Sequence, residues 1–252
     1  MGKTLLGSTA IVTGASSGIG RAVALTLARE GAAVVVNARR KERLDELAAE
    51  IAQSGGKVLA VAGDAGQPGD IDALLERTLA WEPGGRKLDI VVANAGRGLA
   101  GGLLGSDEAQ WQELYQTNVL GTAHLLRRAG LHLAQQKGGD IVVIGSVVGR
   151  HISPFSGFYG SSKFAVGALA EALRQEICSK GVRVSTVMPG IVVSEFQQVA
   201  GYNAENFGKN IAHFGKLLEP QAIADGVAWL LALPPHVNVS ELMIRPTGQN
   251  YP

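Results

Sequence analysis

The chain of 252 residues contains a single cysteine, Cys178. One thiol excludes an intramolecular disulfide framework and any CxxC metal site. Cys178 ends the helical-looking run Leu173–Cys178 and reads as an inert helix or core residue. An excess of one charge is also missing. Lys and Arg number 23 against 22 Asp and Glu, a formal net charge of +1. Such a chain has no global field to attract nucleic acid or an acidic membrane. Long apolar runs are missing too. The longest stretch without Asp, Glu, Lys or Arg runs from Thr4 to Gly20 and is too short and too polar to span a bilayer. The start lacks a basic segment followed by an apolar one, so no secretion signal is expected. Leu6 stands where myristoylation at Gly2 needs Ser or Thr. Without a secretion signal, the sequon at Asn238 is a chance match. A soluble, cytoplasmic protein is the expectation.

What the chain has in plenty is glycine, 34 of 252 residues, beside 46% apolar residues. The glycines show no three-residue repeat, which excludes collagen, and the apolar content argues against disorder. The remaining reading is a fold with many tight turns and close backbone contacts.

Short β-branched runs alternate with longer helical patterns. The runs Ala10–Thr13, Ala33–Asn37, Val58–Ala62, Ile90–Ala93, Asp140–Gly145, Arg183–Met188 and Leu242–Ile244 are mostly apolar throughout, as strands buried on both faces require. Helical stretches fall near 18–30, 40–53, 69–80, 107–136, 156–179 and 219–233. In the second, Leu44, Leu47, Ala48 and Ile51 form one apolar stripe. This rhythm predicts an α/β architecture: one Rossmann-type, doubly wound parallel sheet of about seven strands with helices on both faces. No linker or repeat divides residues 1–252, so one domain is expected. The irregular stretch at about 190–218 is too long for an ordinary connection and reads as a substrate-loop insertion.

The turn Gly14-Ala15-Ser16-Ser17-Gly18-Ile19-Gly20 follows the first strand and opens the first helix. Small residues let backbone approach a phosphate, and the helix start offers free N–H groups and a positive dipole end. The spacing is Gly-x3-Gly-x-Gly, and alone it also fits a plain tight turn. The second strand ends Asn37-Ala38-Arg39-Arg40. An acidic residue there would bind the adenine ribose hydroxyls. Instead two arginines offer planar, charge-assisted contacts to a 2′-phosphate. NADP is therefore favoured over NAD.

Tyr159 and Lys163 lie four residues apart, on one face of a helix. A free tyrosine is a poor base at neutral pH, and a nearby cation lowers its pKa. Alone, such a pair also fits an exposed helix surface. It is accompanied by Ser146 after a strand, Asn94-Ala95-Gly96 after another, Asn118 in a helix and Pro189-Gly190 after a third strand. In this order and spacing the chain closely resembles the short-chain dehydrogenase/reductase family, of the classical, NADP-preferring type, from about Leu6 to Gln249.

The resemblance implies a role for each matching position. Tyr159 would be the general acid in carbonyl reduction and the base in alcohol oxidation. Lys163 would lower the Tyr159 pKa and hold the nicotinamide ribose. Ser146 would bind the substrate oxygen. Asn118 would hold, through its backbone, a water that relays protons from Lys163. Gly14, Ser16, Ser17, Gly18, Ile19 and Gly20 match the pyrophosphate turn. Asp64, followed by Ala65, matches the residue binding the adenine amino group. Asn94, Ala95 and Gly96 flank the adenosine. Pro189, Gly190, Ile191 and Val192 flank the nicotinamide, whose amide Ser194 would bond. Departures are small: Ala93 precedes Asn94 where Asn is usual, and Gly145 precedes Ser146 where Ser is frequent.

Candidate substrate-pocket residues beside Ser146 and Tyr159 are Leu99, His151, Ile152 and Phe155, with Phe196, Tyr202 and Phe207 from the loop. Arg97 and Phe214 join them. Five of these are among the ten Phe and Tyr of the chain, which suits a hydrophobic or aromatic carbonyl or alcohol. The same aromatics also fit a mobile loop closing over the core. Lys209, His213 and Lys216 read as a solvated face. His124 and His132 lack a carboxylate or cysteine cluster, so no metal is expected. The apolar faces of the two long helices, which family members pair between subunits, point to a homo-oligomer, a dimer or tetramer. The tail from Arg245 is expected to reach a neighbouring subunit. The leading expectation is an NADP(H)-dependent oxidoreductase. A non-catalytic NADP-binding sensor or an oligomeric scaffold on the same fold is the alternative. A sensor need not keep Ser146, Tyr159, Lys163 and Asn118 together, and a scaffold leaves Arg39 and Arg40 unexplained.

Overall fold

Seven strands form one sheet, and its central strands are apolar on both sides. They are β1 Thr9–Thr13, β2 Ala33–Ala38, β3 Lys57–Ala62, β4 Ile90–Ala93, β5 Gly139–Ile144, β6 Val182–Pro189 and β7 Glu241–Ile244. The computed structural model describes residues 5–202 and 212–250. All strands are parallel, in the order β3-β2-β1-β4-β5-β6-β7. In β1, Val12 packs into one core and Ile11 into the other, both fully buried. In β2, Val34 and Val36 face the first core and Val35 the second.

Helices cover each face. On the first lie α1 Gly18–Arg29, α2 Lys41–Gln53 and α8 Pro220–Leu231, contributing Leu27, Leu44 and Ile223. On the second lie α3 Pro68–Ala80, α5 Thr122–Gln136 and α6 Gly157–Ile177, contributing Leu74, Leu125 and Val166. Fully burying one such side chain contributes about 1.5–3 kcal/mol. Two further short helices are α4 Trp111–Tyr115 and α7 Phe196–Val199.

The strand order reverses where β1 sits between β2 and β4. Chains leaving neighbouring strands there turn to opposite faces and open a crevice at the carboxyl edge. The glycine-rich turn after β1 and the Asn94–Gly96 segment after β4 both leave at this point.

Two features refine the expectation. The helix expected over 107–136 forms, with a π-helical turn, Gln116–Gly121, between α4 and α5. The π-turn holds buried Asn118, whose amide bonds Arg97 in the loop after β4 rather than its own helix. Cys178 is not in the core; it lies exposed just beyond α6.

Candidate active site

One cleft of about 490 Å³ runs along the carboxyl edge, from Arg39, Arg40 and Asp64 at one end to Tyr159, Phe196 and Tyr202 at the other. Its floor is the turn after β1. Gly14 has φ of +65°, and a Cβ there would lie 2.8 Å from Asn94 Nδ2 and 2.9 Å from Ala95 Cα. The missing side chain lets the turn lie against the end of β4. Asn94 Nδ2 fastens that contact by donating to the carbonyls of Thr13 at 2.9 Å and Gly14 at 3.2 Å. Ser17 gives α1 no side-chain cap and the first turn holds no acidic residue. The leading N–H groups of α1 thus remain available to an anion.

At the far end of β2, Arg40 donates from Nε and Nη2 to Ser16 Oγ, at 3.3 and 3.1 Å, and from Nη2 to Ser17 Oγ at 3.0 Å. Asn37 Nδ2 donates to the Val61 carbonyl at 3.0 Å and, more loosely, to that of Gly63. Its Oδ1 is buried in the cleft wall without a hydrogen-bond partner. A phosphate cradle, a cation pair and a buried acceptor along one cleft fit a dinucleotide.

The other end holds Ser146, Tyr159 and Lys163. Tyr159 and Lys163 occupy successive turns of α6 and are nearly fully buried. Lys163 Nζ donates to the Ile144 carbonyl at 2.9 Å and stands 5.9 Å from the centre of the Tyr159 ring. Burial pulls the Lys163 ammonium down to about 8. Burial also pushes the Tyr159 phenol up, the nearby Tyr202 adds to this, and a hydrogen bond with Ser146 partly offsets it. Desolvation dominates the phenol in this arrangement, with the Lys163 ammonium donating to the Ile144 carbonyl. Ser146 also accepts from Val148 N at 3.3 Å.

Asn118 stands behind these groups. Its Oδ1 accepts from Arg97 N at 2.8 Å, and its Nδ2 donates to Arg97 O at 2.9 Å and Ser162 Oγ at 3.1 Å. The amide thereby ties the loop after β4 to α6. Gly121, at the end of the π-turn, packs against the Ala65 carbonyl, which brings the turn under the cleft.

The short chain dehydrogenase family model matches residues 8–204. The chain is a short-chain dehydrogenase. An uncharacterized oxidoreductase of Staphylococcus epidermidis is 35% identical over 237 residues, covering 94% of this chain and 96% of the relative. An alcohol dehydrogenase of the archaeon Thermococcus sibiricus, complexed with 5-hydroxy-NADP, superposes with a TM-score of 0.84 at 32% identity, covering 97% of this chain and 99% of that one. The closed form of a serine dehydrogenase complexed with NADP+ superposes with a TM-score of 0.85 at 29% identity, over 96% of each chain. The dehydrogenase is thus an oxidoreductase by family.

Within this short-chain dehydrogenase the cleft brings together Gly14, Ser16–Ile19, Arg39, Arg40, Asp64, Ala65, Asn94–Gly96 and Ser146. Tyr159, Lys163, Pro189–Val192 and Ser194 join them, with Phe155, Phe196, Tyr202 and Phe214 lining the same cleft. Other expected residues lie elsewhere. Gly20 faces Asn94 and the Gly14 carbonyl, so its lack of a side chain serves the packing of α1. Leu99 packs beneath Tyr159 with Leu114 and Val148 instead of lining the cleft. His151 and Ile152 are exposed and outside the lining. Ser194 Oγ accepts from Phe196 N at 3.3 Å. Phe207 and Lys209 lie outside the described residues.

The sequence reading missed Asn37, Glu195 and Gln249. Gln249 is buried, and its Oε1 accepts from Ile191 N at 3.0 Å. At that point the tail folds onto its own cleft. No local pattern marks Gln249, because its partner is 58 residues away. Among the described residues no His, Cys, Asp and Glu group is arranged to hold a metal, and no helix is long and apolar enough to cross a membrane.

Proposed function

We propose that the dehydrogenase uses NADP(H) to reduce a hydrophobic or aromatic ketone or aldehyde to an alcohol. One observation carries this reading. A single cleft joins an uncapped helix start and two arginines to half-buried Ser146 and buried Tyr159 and Lys163 under an aromatic roof. Phe196 tilts over Tyr159 at 5.5 Å between ring centres, and Phe155, Tyr202 and Phe214 line the same end. The NADP complexes of the related alcohol and serine dehydrogenases support the cofactor class.

The turn Gly14–Gly20 would hold the pyrophosphate and Arg39 with Arg40 the 2′-phosphate. Asp64 and Ala65 would hold the adenine, Asn94–Gly96 the adenosine, and Tyr159 with Lys163 the nicotinamide ribose. Pro189–Val192 and Ser194 would flank the nicotinamide, which supplies or accepts the hydride when bound.

The chain's own groups handle the proton. Ser146 Oγ, already bonded to the Tyr159 phenol, donates to the carbonyl oxygen and stabilises the charge that develops there. Tyr159 Oη gives that oxygen its proton. A phenol held high by burial is fully protonated at neutral pH, which suits the direction of reduction. The phenolate left behind is stabilised by the ammonium of Lys163 while that group keeps its charge. Asn118 fixes the loop and helix that frame both residues. Phe196 and the buried ring of Tyr159 keep water from the reacting atoms.

The pH profile follows from Lys163. Below about 8 it is charged, and above it the ammonium is lost. The rate of carbonyl reduction, measured as kcat/KM, is expected to fall with a slope approaching minus one as pH rises through that value. A profile flat to pH 10 contradicts the role given to Lys163.

The cofactor choice has its own check. Removing both guanidinium groups in Arg39→Ala/Arg40→Ala should weaken NADPH by about 10- to 100-fold, the range for lost hydrogen bonds to charged groups. NADH binding should change little. Titration of wild type and variant with both cofactors measures this, and equal affinities in the wild type would rule out the NADP preference. A homo-oligomer in the cytoplasm completes the reading: α5 and α6 expose Leu131 and Phe164, which association would cover.

A further inference from the structure

The Arg40 guanidinium already carries an anion. Its Nη1 is 3.0 Å from Glu195 Oε2, across 155 residues of sequence. Arg43 Nη2 lies 3.8 Å from the other carboxylate oxygen. The hydrogen bond from Arg40 holds the Glu195 carboxyl below the usual range, burial offsets part of this, and Arg43 and the Ser17 hydroxyl add to the lowering. Glu195 directly follows Ser194, whose Cβ would be 3.3 Å from a Cβ on Gly18. The carboxylate therefore sits over the phosphate turn and lines the cleft.

We propose that Glu195 is a cofactor-specificity residue that occupies on Arg40 the position a ribose 2′-phosphate takes. The inference rests on the NADP reading and deepens it. The chemistry is competition for one donor set. Carboxylate and phosphate both match the planar fork of an arginine. Nε and Nη2 of Arg40 are already committed to Ser16 and Ser17, which leaves Nη1, beside Glu195, to meet a phosphate. An arriving phosphate must displace Glu195 from Nη1 or share the guanidinium with a like charge. Either outcome weakens nucleotides that carry a 2′-phosphate and leaves those without it unaffected. Glu195 thus tempers the preference that Arg39 and Arg40 create, and keeps the 2′-phosphate exchangeable.

The test uses adenosine 2′,5′-bisphosphate and adenosine 5′-monophosphate, titrated calorimetrically into wild-type protein, Glu195→Gln and Glu195→Ala at low salt. The bisphosphate should bind both variants about 3- to 10-fold more tightly than wild type, between the worth of an exposed ion pair and that of a charged hydrogen bond. The monophosphate should bind all three alike. In high salt the gain should shrink, because screening shortens the reach of Glu195. An unchanged or weakened bisphosphate affinity in the variants overturns the proposal, since Glu195 would then orient Arg40 rather than compete for it. A wild type that binds both nucleotides equally overturns the NADP reading beneath it, and so marks a different failure.

Discussion

Tyr159→Phe should lose about 100- to 10,000-fold in kcat for carbonyl reduction, the usual contribution of a positioned acid or base. That range corresponds to about 3–5.5 kcal/mol of barrier. The substitution deletes one oxygen and keeps the ring. The aromatic contact with Phe196 and the packing over Leu99 and Val148 should survive. Ser146 would lose its phenol partner but keep the Val148 N–H. Folding should therefore be intact and the loss chemical rather than structural. Fluorescence titration should show NADPH bound within a few-fold of wild type, because the glycine turn and the two arginines are untouched. The split between binding and turnover is the informative result. A variant whose kcat stays within threefold of wild type would remove Tyr159 as the proton donor.

Gly14→Val should remove cofactor binding and lower stability together. The backbone at Gly14 has φ of +65°, which costs an L-residue roughly 1–2 kcal/mol. The new Cβ would be 2.8 Å from Asn94 Nδ2 and 2.9 Å from the Ala95 backbone. Forcing atoms into that contact adds about 1–3 kcal/mol. Asn94 must then swing away from the carbonyls of Thr13 and Gly14, which opens the switch point between β1 and β4. Thermal unfolding should fall by roughly 5–15 °C, at about 2–4 °C per kcal/mol for a chain of this size. NADPH should no longer bind at millimolar concentration. A Gly14→Val protein that melts and binds as wild type does would contradict the close approach at this turn.

The sheet was legible because its evidence is local. The inner parallel strands, buried on both faces, are continuous apolar runs, and the half-exposed edge strands β3 and β7 keep short apolar runs of their own, so each of the seven is visible without knowledge of its neighbours. Tyr159, Lys163, Ser146 and Asn118 were legible through their order and spacing, although their chemistry depends on folding. The environment was not legible. Burial raises the Tyr159 phenol and draws Lys163 to the Ile144 carbonyl, and burial is a sum over many distant residues. The π-turn at Gln116–Gly121 was hidden for a similar reason. Its residues carry an ordinary helical pattern, and the distortion comes with the bonds of Asn118 to Arg97. Arg40 announced a phosphate site, whereas Glu195 lay in an irregular stretch with no period to read. His151 and Ile152 were assigned to the pocket by nearness in sequence to Tyr159, but the chain at 150–153 carries them to the surface.

The central claim is catalysis of carbonyl reduction in this cleft. The most direct measurement mixes the dehydrogenase and NADPH with a panel of aromatic and aliphatic ketones and aldehydes, and quantifies NADPH consumed and alcohol formed. At least one hydrophobic carbonyl should give one alcohol per NADPH, and the signal should fall at least 100-fold in Tyr159→Phe. NADPH that binds to the wild type yet is consumed with no carbonyl in the panel would contradict it, and would leave a protein that holds the nucleotide without using it.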